Sequence, residues 1–134
     1  MTMGLGRISL LTIPVTDQER AKSFYTHILG FDDKIDYVMD SPEAGAAGSG
    51  ARWLMLSPPQ AGPDIVLSTW ITPPGTSHVS IETDNIETTW QTLTDRGLTI
   101  AQRPQDAAWG RWFQVHDPDG NTWLIVQPPS QMDP

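Results

Sequence analysis

The sequence predicts an α+β fold of two βαβββ modules whose strands form a curved mixed sheet with a concave cleft. Three observations lead there. The stretch Leu10 to Asp17 (Leu-Leu-Thr-Ile-Pro-Val-Thr-Asp) and the stretch His78 to Asn85 (His-Val-Ser-Ile-Glu-Thr-Asp-Asn) are both alternating strands that run into helix starts, 68 positions apart. A glycine closes each following helix, in Leu29-Gly30-Phe31 and in Arg96-Gly97-Leu98. Two diverged copies in 134 residues imply a pseudo-two-fold arrangement with a cleft between the halves. The chain reads as one domain: module one at 7–70, a linker at 71–76, module two at 77–128 and a tail at 129–134.

Each element has its own warrant. Residues 7 to 15 alternate, with Ile8, Leu11, Ile13 and Val15 punctuating more polar positions. Thr16 or Asp17 caps the next helix, and Thr16 and Glu19 have capping-box spacing. Ala21, Phe24, Tyr25 and Ile28 then share one helical face, which must pack on the sheet. Strands follow at Phe31–Met39, Ala51–Leu56 and Asp64–Trp70, and the small-residue stretch Asp40–Gly50 reads as a flexible loop beside the cleft. Pro73-Pro74-Gly75 is the linker. The second copy brings strand His78–Thr83, then a helix capped near Asp84 or Asn85 with Ile86, Trp90 and Leu93 on its buried stripe. Short strands at Leu98–Gln102, Trp112–Val115 and Thr122–Gln127 complete it, the last two joined by a tight turn at Asp117-Pro118-Asp119-Gly120-Asn121.

Composition narrows the chemistry. The chain has no cysteine, which removes thiol nucleophiles and zinc-thiolate sites. A formal charge of -8 and a pI near 4.5 oppose a nucleic-acid backbone or an anionic membrane, and suit a neutral or cationic small molecule. No apolar run approaches the ~18 residues of a membrane span, so a soluble cytoplasmic protein is expected.

Parity along the strands nominates the cleft residues. His78, Ser80 and Glu82 share one strand face, and an imidazole with a carboxylate there is a candidate acid/base pair. His116, Gln114 and Trp112 share another. His27 falls on the polar side of its helix. Six tryptophans divide by position: Trp90 and Trp123 belong to the core, whereas Trp53, Trp70, Trp109 and Trp112 are candidate cleft walls for a planar or cationic ligand. Arg52 and Arg111, next to Trp53 and Trp112, are candidates for an anionic substituent.

Val15-x-Asp17, Phe24-Tyr25, Leu29-Gly30-Phe31, His78-Val79 and Asp117-Pro118-Asp119-Gly120-Asn121, in this order and spacing, resemble the glyoxalase, bleomycin-resistance and extradiol-dioxygenase superfamily, the vicinal oxygen chelate fold. The resemblance covers residues 7 to 128. Enzymes of that superfamily hold a divalent metal through His, Gln or Glu on the first and last strands of each module. Carried over, those positions are Leu10, Val66 or a neighbour in Asp64–Thr69 where neither Glu nor His occurs, His78 and Leu124, of which His78 alone is a retained ligand. One neutral imidazole does not retain a metal ion. The resemblance therefore implies a homodimeric, metal-free binding protein of the bleomycin-resistance type, without cofactor, with Leu10 and Leu124 as apolar cleft residues. The alternative it leaves is a glyoxalase-type lyase or isomerase, with a divalent metal near His78 or with His78 and Glu82 as catalytic residues.

Overall fold

The computed structural model describes residues 3–38 and 52–129. Module one runs β1 (Leu10–Pro14), α1 (Gln18–Ser23), a π-helical turn (Phe24–Ile28), β2 (Asp32–Val38), β3 (Arg52–Ser57) and β4 (Asp64–Ser68). Module two runs β5 (His78–Glu82), α2 (Ile86–Asp95), β6 (Gln105–Ala107), β7 (Gly110–His116) and β8 (Thr122–Gln127). Their strands form two four-stranded mixed sheets of identical order, β1-β4-β3-β2 and β5-β8-β7-β6. The first and last strands of each module pair in parallel, and the other neighbours are antiparallel.

The helices start where short polar side chains replace the missing backbone acceptors. Asp17 Oδ1 accepts from Arg20 N at 3.0 Å, and Asn85 Oδ1 accepts from Thr88 N at 3.1 Å. Gln18 then ties α1 to its sheet: buried, it donates through Nε2 to the carbonyls of Arg52 and Leu67 and accepts from Arg52 N. Ile86 N of α2 donates to Gln127 Oε1 at 2.7 Å, docking the second helix on β8 in a comparable way.

The helix-covered faces of both sheets share a single core. Ile13, Leu54, Leu56, Ile65 and Leu67 of module one are buried together with Phe113, Val115, Trp123 and Ile125 of module two. Tyr25 sits between them, its ring 5.6 Å edge-on from Trp123 and 5.8 Å from Phe31. At 25 cal/mol per Å², each such aromatic stabilises the shared core by roughly 2 to 3 kcal/mol. The two sheets thus lie on opposite sides of a common apolar layer, and their other faces remain open.

Two expectations need correction. The first strand begins at Leu10, not at 7, and Ile8 is exposed. Leu98–Gln102 is not a strand: Leu98 and Ile100 pack against the core from an irregular segment, whose Gln102 carbonyl accepts from Trp90 Nε1 at 2.9 Å. The corresponding strand is β6, three residues later and mostly polar. The loop expected at Asp40–Gly50 and the tail beyond residue 129 lie outside the described residues.

Candidate functional site

Strand register assigns every candidate to a face. In module two, Glu82 aligns with Val126, Trp112 and Gln105; Ser80 with Leu124 and Gln114; His78 with Thr122 and His116. Side chains two apart on a strand share a face, so these rows make one surface opposite to that of Phe113, Val115, Trp123 and Ile125. In module one, Thr12 aligns with Val66, Met55 and Ile35, and Trp53 with Tyr37, on the equivalent open surface. Leu10, at the start of that face, aligns with Asp64.

The tryptophans occur on these faces as two pairs. Trp53 and Trp70 are stacked, with centroids 6.2 Å apart and planes at 20°. Trp109 and Trp112 are 5.8 Å apart at 31°. Thr12, Val66 and Met55 occupy in module one the row that Ser80, Leu124 and Gln114 occupy in module two, so Trp53 and Trp112, each two residues upstream on the third strand, are pseudo-equivalent. Trp70 lies just beyond β4, where its backbone N–H donates to Ser68 Oγ. Trp109 reaches its partner from the β6–β7 turn and is 44% exposed.

Not every candidate joins them. Arg52 lies on the helix-covered side, where it donates to Asp36 at 3.0 and 2.7 Å and to Glu19 at 3.0 Å. Lys22 also donates to Asp36, and the two cations hold the Asp36 carboxyl down to about 2. Arg111 is likewise turned toward α2, paired with Glu87 and Asp106. A residue next to a cleft tryptophan on a strand faces the other way, which excludes both arginines from the open faces. His78 and Glu82 share a face but stand four residues apart, roughly 13 Å along a strand, so they do not form a hydrogen-bonded dyad. His116 Nδ1 lies 3.3 Å from Thr122 Oγ1, in the row of His78. His27 is exposed, and Trp90 and Trp123 pack in the core as expected.

The donor set at the superfamily's metal positions does not fit an ion. Val66 is buried between Thr12 and Met55, and Leu124 lies between Ser80 and Gln114, so His78 has no ligating neighbour at those positions. Among the described residues no group of three or more His, Cys, Asp or Glu is arranged to hold a metal.

What sequence reasoning missed is that Tyr25, on the packed helix face, and Asp117, in the tight turn, are bonded to each other across the modules. Both Asp117 oxygens are filled: Oδ1 accepts from the backbone of Asp119 and Asn121, and Oδ2 from Tyr25 and the Asn121 amide. The Asn121 amide also donates to the Pro14 carbonyl, joining the modules. Burial, followed by the Asp117 charge, pushes the Tyr25 phenol far above its usual range. These groups are a joint and offer no reactive proton.

Two repeated modules with this strand order define the glyoxalase-like class, and comparison with known proteins agrees. The family description Glyoxalase/Bleomycin resistance protein/Dioxygenase superfamily matches residues 7–125, and the chain belongs to that family. It is 28% identical over 125 residues to the uncharacterised protein YetH of Bacillus subtilis (strain 168), covering 90% of this chain and 98% of YetH. Among solved structures it resembles TnmS3, an antibiotic binding protein from Streptomyces sp. CB03234, with a TM-score of 0.81 and 33% identity over 96% of this chain and 100% of that one. A superfamily member from Sphaerobacter thermophilus DSM 20745 follows at a TM-score of 0.74 and 29% identity, covering 92% and 98%. Among the described residues no helix is long and apolar enough to cross a membrane.

Proposed function

We propose that this chain is a metal-free binding protein that captures a planar aromatic, antibiotic-like molecule of neutral or cationic character between its tryptophan pairs. The observation that carries this reading is the placement of Trp53–Trp70 and Trp109–Trp112 on the open faces of the two modules. Indole faces attract flat and cationic ring systems by stacking and cation-π forces of roughly 0.5 to 2 kcal/mol per contact. Both nearby arginines are neutralised by carboxylates on the other side of the sheets, and the net charge is -8, so the faces favour a cation over an anion. The antibiotic-binding description of TnmS3 supports the same ligand class.

The reading includes a homodimer. The open face of module one is a one-sided surface on which Tyr37 is 46% exposed, and the covered faces of both modules are already spent on the shared core. A two-fold copy would set the module-one face of one chain against the module-two face of the other and enclose the ligand. His78, Ser80, Gln114 and His116 then serve as polar anchors on the module-two wall, and Leu10 and Leu124 as apolar floor.

Titration of the protein with a planar tricyclic cation such as acridine orange, followed by tryptophan fluorescence and sedimentation velocity, tests the proposal. Saturable quenching by the dye with one ligand per tryptophan-lined cleft in a dimer is expected. No quenching at millimolar dye would overturn it.

A further inference from the structure

The row of side chains that carries the module-two tryptophan is polarised. Glu82, Val126, Trp112 and Gln105 align across β5, β8, β7 and β6 and share the open face. Glu82 and Trp112 are two strand spacings apart, roughly 10 Å, with the apolar Val126 between them. The register that equates Thr12 with Ser80 puts Pro14 where Glu82 stands, and Tyr37 where Gln105 stands. The row of Trp53 therefore ends on apolar and aromatic groups, and the row of Trp112 ends on a carboxylate.

That carboxylate has no partner of its own. Glu82 is exposed, and among the described residues no cation or hydrogen-bond donor holds its side chain. Arg111 of β7 is turned to the other side of the sheet, where Glu87 and Asp106 hold it. The other ionisable side chains that β5 to β8 direct to the open face are His78 and His116, at its far end, roughly 13 Å along the strand from Glu82.

On an open sheet a carboxylate keeps its water. Once a ligand and a second wall cover the row, that hydration is lost, and a ligand without a positive group leaves a charge buried and unpaired. A ligand that brings a cation turns the same loss into a charge-assisted hydrogen bond, so the residue discriminates among planar molecules. Its distance from the indole sets where the positive charge must lie. A cation delocalised within a ring stacked on Trp112 stays over the indole, whereas one carried on a short alkyl arm crosses Val126 and reaches the carboxylate.

We infer that Glu82 is the specificity-determining residue of the module-two tryptophan face, and that it takes the protonated aliphatic amine of a planar ligand whose ring stacks on Trp112. The inference rests on the aromatic-ligand reading and narrows it to ring systems that carry a localised cation on a short flexible arm.

Two probes with the same neutral ring test it: N-aminopropyl-naphthalimide and its uncharged isostere N-butyl-naphthalimide, each titrated into the full chain by calorimetry at low ionic strength. The amine is expected to bind roughly five-fold or more tightly than the butyl probe. Glu82→Gln should erase that preference, with butyl binding showing that the fold and the aromatic site are retained. Asp95→Asn removes the same charge from the exposed end of α2 and should keep the preference. Equal affinities in the parent chain, a preference that survives in E82Q, or equal weakening of both probes by E82Q would overturn the role of Glu82 and leave aromatic capture standing. Failure of both probes to bind the parent chain would overturn both readings.

Discussion

The Tyr25 hydroxyl donates to Asp117 Oδ2 at 2.7 Å across 92 residues of sequence, and accepts in turn from Trp123 Nε1 at 2.9 Å. The bond ties the helical segment of module one to the last turn of module two, inside the layer both sheets share. Tyr25→Phe leaves the ring packing intact but removes one of the two donors to Asp117 Oδ2 and strands the Trp123 indole N–H. A loss of about 2 to 3 kcal/mol in unfolding free energy is expected by urea denaturation, in one transition rather than two.

Asp36 sets an acid limit on stability. Its carboxyl is held at about 2, below the 3.8 of the free group, chiefly by hydrogen bonding to Arg52 and further by Lys22. A depressed carboxylate stabilises the fold fully above its unfolded value and ceases to do so as pH falls through the folded one. The Asp36→Asn protein should therefore lose about 0.5 to 1 kcal/mol at pH 7 and converge on the parent between pH 4 and 2, read from melting curves.

Arg52→Ala should carry a similar small stability cost and leave the affinity for a planar cation within two-fold, because its guanidinium is spent on Asp36 and Glu19. A large affinity loss would return Arg52 to the binding face. This residue shows what the sequence held and how it was misread. Its neighbour Trp53 stacks with Trp70 on the open face, and strand alternation already assigns adjacent residues to opposite faces. The modules, α2 and the Asp117–Asn121 turn were legible because apolar period, caps and turn residues agree there. Strand β6 was not, since Gln-Asp-Ala carries no pattern and exists only through pairing with β7, whereas Leu98 and Ile100 mimic a strand while packing as a loop. Nor could periodicity show that Trp70 and Trp109, both outside strands, come back to stack on Trp53 and Trp112.

Trp53→Ala and Trp112→Ala should each weaken dye binding by about 0.5 to 2 kcal/mol, roughly two- to thirty-fold, because the positions are equivalent across the pseudo-two-fold. Titration calorimetry distinguishes this from a one-sided site, in which only one substitution matters.

Addition of Zn²⁺ or Ni²⁺ at ten-fold excess should leave the melting temperature unchanged, and His78→Ala should behave identically with and without metal. An ion bound to the native state would raise the midpoint by mass action. The expectation follows from Val66 and Leu124 in the positions where donors are needed.

Gly75 has φ +80°, and a Cβ there would run into the Asp119 carbonyl, which is backbone and cannot yield. Gly75→Ala should destabilise by about 1 to 3 kcal/mol in the same denaturation assay.

The bond from the Asn121 amide to the Pro14 carbonyl has no twin among the described residues. The register that equates Val66 with Leu124 puts Pro63 where Asn121 stands, and proline offers neither a side-chain donor nor an N–H. The halves are therefore key and lock rather than two keys. A tandem made from two copies of module one would lack the amide that closes it, and the order in which the repeats are joined carries information that their shared topology does not.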